Sequence, residues 1–158
     1  MSQSALLADQ IRRAYEGEAW HGDAVLEILE NVTAKQAAAR PIKSAHSIWE
    51  LVLHVAAWDG AVLRRTGGTA VELKDKENFP PVPDTSEKAW HAAVQHLKDT
   101  HDKLVKAVAA FPDERLQERV PGKKDAYYDF YYMFSGIVQH ELYHAGQIAV
   151  LKKAAGEL

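Results

Sequence analysis

The sequence predicts an all-α protein, a four-helix bundle with one long crossover between its second and third long helices. Three observations predict it. Four long segments repeat apolar residues at i, i+3 and i+4, the spacing of one helix face. No pair of alternating apolar and polar runs offers a strand hairpin. The one long stretch without helical period, residues 68–83, contains Pro80, Pro81 and Pro83. A connection of that length is usually a crossover or a lid, and it argues against a strict up-down-up-down path.

The first helix is expected over residues 4–16, with Leu7, Ile11 and Ala14 on one face. Gly17 interrupts it, and Glu18 to Gly22, with Trp20 and His21, reads as a bend. The pattern resumes over 23–31 with Val25, Ile28 and Leu29. Thr33 and Gln36 have capping-box spacing and start a short turn that must end before Pro41. Ser44 or Ser47 can cap the second long helix, to about residue 66, with Ile48, Leu51, Val52, Val55 and Val62 as its stripe. Arg64 and Arg65 suit its negative end, and Gly67 a left-handed C-cap. Asp84 to Glu87 looks like a capping box for the third long helix, through Ala110, with Trp90, Val94, Leu97, His101, Leu104 and Val108 inward. Phe111-Pro112 ends it, a polar stretch follows, and the last helix is expected from 127–129 to about 155.

Composition narrows the function classes. The 158 residues are 47% apolar and 26% charged, ordinary values for one globular domain spanning 1–158. A net charge of −3 without a basic stripe leaves no footprint for nucleic acid. No cysteine is present, so thiolate ligands, disulfides and cysteine nucleophiles are excluded, which is compatible with a cytoplasmic location. Neither a signal peptide nor a membrane span is expected.

The chemistry concentrates in His140-Glu141-Leu142-Tyr143-His144. Residues four apart on a helix lie about 40° apart in projection, so both imidazoles share a face. Ile137, His140, Glu141, His144, Ile148 and Leu151 form one stripe, and polar rings in an apolar stripe need partners. A divalent metal would satisfy both, yet such a site wants a third ligand from another helix. His54, between Leu51 and Val55, and His101, squarely in the third helix's stripe, are nearly level on spacing. A core histidine is otherwise commonly hydrogen-bonded to a carbonyl or carboxylate. His46, His91 and His96 read as cap or surface residues, and His21 could face a pocket beside its bend.

His140 to His144 also fits H-E-x-x-H, the zinc-peptidase signature. The extended form requires a glycine three residues after the second histidine and a third histidine beyond it. Here the glycine is Gly146 and no histidine follows. A distant glutamate ligand would have to be Glu157, near the end of the chain. Peptidase chemistry is therefore the minor alternative.

The segments AWHGDAVLEILENVTAKQAAARPI, HSIWELVLHVAAWD and QHELYHAGQIAVLKK resemble, in order and spacing, those of the DinB/YfiT-like superfamily of metal-dependent enzymes. The resemblance covers most of the chain. It implies an up-down-down-up bundle with the crossover between helices two and three. It also implies one divalent ion, zinc or nickel foremost and iron among the others, held by His54, His140 and His144. Relatives resemble hydrolases and thiol-dependent transferases, so a small-molecule substrate, possibly used with a low-molecular-weight thiol, and a homodimer are implied. Within that frame Glu141 is the candidate general base. Glu50, one turn before His54, is a candidate partner for its ring N–H, and Gln147 a candidate at the pocket rim. His101 is left as a supplement or replacement for His54. Trp49, Trp58, Tyr128, Tyr131 and Tyr132 could line the pocket. The alternative from another class is a non-catalytic, metal-stabilised dimeric binding module.

Overall fold

A computed structural model describes residues 1–156; Glu157 lies outside the described residues. The architecture is all-helical. In chain order the helices are α1 (Gln3–Glu16), α2 (Val25–Leu29), α3 (Ala34–Ala38), α4 (Ile48–Thr66), α5 (Asp75–Asn78), α6 (Glu87–Ala109) and α7 (Phe130–Gly156). A 3-10 turn spans Asp113–Arg115. Among the described residues the only strand-like pairing is an isolated bridge between Arg119 and Asp129. No helix among them is long and apolar enough to cross a membrane.

Local chemistry explains most of the boundaries. The Ser47 hydroxyl accepts the Glu50 N–H, and the Glu50 carboxylate accepts the Ser47 N–H at 2.7 Å, a complete capping box for α4. Thr33 and Gln36 do the same for α3. Ser2 caps α1, and Asp113 accepts the Gln3 and Ser4 N–H groups at 2.7 and 2.8 Å, holding that helix start from across the chain. Those two donors hold the Asp113 carboxyl below the usual range.

Four expectations shift. The left-handed residue after α4 is Gly68, at φ +95, while Gly67 keeps φ −78. Helix α6 is capped by Ser86 alone; Asp84 accepts the Ser86 N–H, and Glu87 reaches away to the Ala34 N–H at 2.9 Å, tying the start of α3 to α6. Helix α7 begins at Phe130 because Tyr128 is engaged with Val120 in the preceding turn. The long connection between α4 and α6 holds a short helix, α5, that the proline-rich composition concealed.

The long helices touch in a ring, α1 with α6, α6 with α4, α4 with α7, and α7 with α1. Their apolar faces form two separate cores. One gathers Val52, Val55, Trp90, Leu97, Ala145 and Ile148; the other gathers Ile11, Val62, Leu104, Phe130, Phe134 and Ile137. Between them each long helix of the α4, α6 and α7 face carries polar groups at core positions: His54 and Asp59, His101, and His140, Glu141 and His144. The candidate site is this polar belt between two apolar halves.

Candidate metal centre

Helix periodicity puts His140 and His144 one turn apart on α7, and α4 brings His54 against them. His54 Nε2 lies 3.0 Å from His140 Nε2. The ring centroid of His144 is 4.5 Å from that of His140 and 4.7 Å from that of His54. One nitrogen from each ring lies within 4.8 Å of the other two.

Each outer ring is oriented by a hydrogen bond. His54 Nδ1 donates to the Asn78 carbonyl at 2.8 Å, so its Nε2 carries the lone pair. His144 Nδ1 pairs with Gln147 Oε1 at 2.6 Å, leaving its Nε2 likewise bare. Phe79 stacks on His54 at 4.1 Å, and Trp58 donates its indole N–H to the Asn78 side chain. The α4–α6 connection therefore positions a ligand. α5 ends at Asn78, and the two residues that pin His54 are Asn78 and Phe79.

Burial lowers the proton affinity of all three rings. His140 falls to about 3 through burial first and then the neighbouring His144 and His54. His54 and His144 are lowered, chiefly by burial. The rings are thus neutral, the form that binds metal. Two ring nitrogens 3.0 Å apart require a shared proton or a cation, and His140 Nδ1 is buried without a partner. Cis ligands around an ion at about 2.1 Å would sit roughly 3.0–3.5 Å apart, so the donor set fits a divalent transition metal.

The other expected residues are distributed differently. Gln147 is at the site, as the partner of His144. Glu50 is not: the α4 capping box takes it, and its other contacts are Arg40 and His46. His101 does not join the trio; its Nδ1 lies 3.2 Å from Asp59 and 3.1 Å from Glu141. Glu141 follows His140 by 100° around the helix, so its buried carboxylate meets His101. Glu141 is pushed up to about 8 by burial and by Asp59. Burial opposes charge on His101, but the Asp59 and Glu141 carboxyl groups against its Nδ1 outweigh it and raise that ring to about 9. His21 is exposed at its bend. Trp49 packs in the core on Trp90, and Tyr131 is exposed, whereas Trp58, Tyr128 and Tyr132 share a cavity with His140. His91 and His96 are on the surface, while His46 stacks on Phe79 at 3.9 Å.

Asp59 had a legible signal that its charge disguised: it continues the Val52, Val55, Val62 face of α4. Asn78 and Phe79 had none, since a backbone carbonyl and a stacking ring in an aperiodic segment carry no spacing rule. Gln147→Ala should weaken metal binding about 10- to 100-fold, the usual effect of removing a ligand's orienting partner. Competition with a chromophoric chelator measures it, and unchanged affinity would remove Gln147 from the site.

The DinB superfamily profile matches residues 19–148, which include all three histidines. No curated protein and no solved structure matches the chain.

Proposed function

The chain belongs to the DinB superfamily, and from that premise we propose that it is a metal-dependent enzyme of the hydrolase or thiol-dependent transferase type. In this reading one domain follows the up-down-down-up path, and His54, His140 and His144 hold one divalent ion, zinc or nickel. The observation that carries it is the pair of inward Nε2 lone pairs fixed by Asn78 and Gln147, with a third neutral imidazole beside them. When bound, a divalent ion there lowers the proton affinity of a water or thiol and polarises a carbonyl oxygen. Three protein ligands leave a position open, as catalytic sites require.

The residues around the trio favour a small, partly apolar substrate. One cavity of about 630 Å³ is lined by Leu51, Tyr143, Gln147 and Val150. A second, of about 540 Å³, is lined by Trp58, Arg65, Tyr128, Tyr132, His140 and Tyr143. Both volumes fall in the range of small-molecule pockets. Tyr143 borders both, and its ring is mostly exposed, so it can fold over an occupant. Arg65 is buried at the wall of the second cavity, donating to the Val71 carbonyl.

A second reading, a metal-stabilised homodimeric binding module in the cytoplasm, draws on exposed aromatics just before and in the first turn of α7. Tyr127, Tyr131 and Tyr132 are 63%, 45% and 50% exposed. Cobalt-loaded protein titrated with low-molecular-weight thiols separates the two. A thiolate-to-metal charge-transfer band, absent in His140→Ala, is expected, followed by turnover of ester or thiol-transfer substrates. No band, with equal background rates in wild type and variant, would leave the module.

A further inference from the structure

Beside the histidine trio lies a second polar set that its chemistry does not use. Five side-chain atoms there are buried without a partner: the Tyr15 hydroxyl, Asp59 Oδ1, His101 Nε2 and both Glu141 oxygens. Buried polar groups are nearly always paired, and a concentration of exceptions asks for a missing ion or water. Asp59, His101 and Glu141 are each 0% exposed, and the Tyr15 ring stacks on His101 at 4.0 Å.

We propose that Asp59, His101 and Glu141 form a second divalent-cation site, richer in carboxylate than the histidine trio and suited to a harder ion such as Mn²⁺. His101 Nδ1 stands 3.2 Å from Asp59 Oδ2 and 3.1 Å from Glu141 Oε1. Those separations match the edges of a coordination polyhedron with bonds of about 2.1 Å. They suit a hydrogen-bonded network less well. One Nδ1–H can point at one acceptor; only the Asp59 contact has hydrogen-bond geometry, and Glu141 Oε1 remains unpartnered. Charge gives the same answer. Among the described residues no lysine or arginine pairs with either buried carboxyl group, so holding both of them ionised in the core asks for a cation beyond His101. A divalent ion on neutral His101 and two carboxylates leaves the site uncharged. Carboxylate and imidazole together favour manganese or iron, whereas three imidazoles favour zinc, nickel or copper, so the two sites should sort different ions.

The inference does not depend on the trio's function, and the test keeps the two apart. Because the three ligands are sealed from solvent, the ion enters as the chain folds. The full chain is unfolded with a chelator, refolded with Zn²⁺, Mn²⁺ or both, gel-filtered and analysed for metal. Because zinc binds most sites more tightly than manganese, wild type refolded with one equivalent of Zn²⁺ and an excess of Mn²⁺ should carry about one of each. The double variant His54→Ala/His140→Ala should lose zinc and retain manganese, and Glu141→Gln should do the reverse. Manganese bound equally by wild type and Glu141→Gln, or absent from wild type, overturns the proposal even if zinc remains on the trio. Should Glu141→Gln fail to refold, anomalous diffraction from Mn²⁺-refolded wild-type crystals decides. A peak among Asp59, His101 and Glu141 supports the site, and no peak there overturns it.

Discussion

Replacing His140 by alanine should lower zinc affinity by well over 100-fold. Removing an outer partner such as Gln147 costs about 10–100-fold, because the ligand remains but its tautomer and angle are free. Losing His140 removes a ligand. It also removes the ring that stands 3.0 Å from His54, and leaves His54 and His144 bridged only by their own distance. His54→Ala should be as severe, with a second symptom: the Asn78 carbonyl and the Phe79 ring lose their partner, so the crossover should become more sensitive to protease. His91→Ala and His96→Ala, both on the surface of α6, are the controls and should bind like wild type. Titration calorimetry on chelator-treated protein gives the affinities, and limited proteolysis reads the crossover. Variants of His54 or His140 that bind zinc within a few-fold of wild type would rule out the trio as the centre.

How much of this was legible in the sequence depended on whether a rule of spacing applied. The helices of the long segments were legible, because Val52, Val55 and Val62 or Leu97, His101 and Leu104 repeat at helical intervals. The histidine pair was legible for the same reason. Which third histidine completes it was not: His54 and His101 both sit on inward faces, and the resemblance, not the period, favoured His54. The structure explains the tie. Both rings are in the polar belt, one facing His140 and the other Glu141, and a 100° step separates those two positions on α7. Glu50 shows the opposite error. One turn from His54 it looked like a partner for that ring, but a helix start has its own unpaired N–H groups, and the Ser47 N–H claims the carboxylate. The crossover was least legible, since Asn78 acts through a carbonyl that every residue carries.

Trp90→Ala should destabilise the fold by about 3–5 kcal/mol, the usual cost of truncating a large buried aromatic residue. For a chain of this size that lowers the melting temperature on the order of 10 °C. Two effects combine at this position. The ring is 2% exposed and tilts against Trp49 at 5.1 Å, so alanine opens a cavity where α6 meets α4. Its indole N–H donates to the Val32 carbonyl at 2.8 Å, so alanine also strands a buried acceptor in the link between α2 and α3. Trp90→Phe separates them, keeping most of the contact area while losing the donor, and should fall between wild type and alanine. Because Trp90 belongs to the apolar half on the far side of Leu97 from His101, metal affinity at the trio should change little at temperatures where the variant is folded. Thermal melts of metal-free and zinc-loaded protein test both parts. A melting temperature within about 2 °C of wild type would show that this half of the core contributes little to the cooperative unit. A large loss of zinc affinity in the folded variant would show instead that packing around Trp90, and not only Asn78 and Gln147, sets the geometry of the histidines.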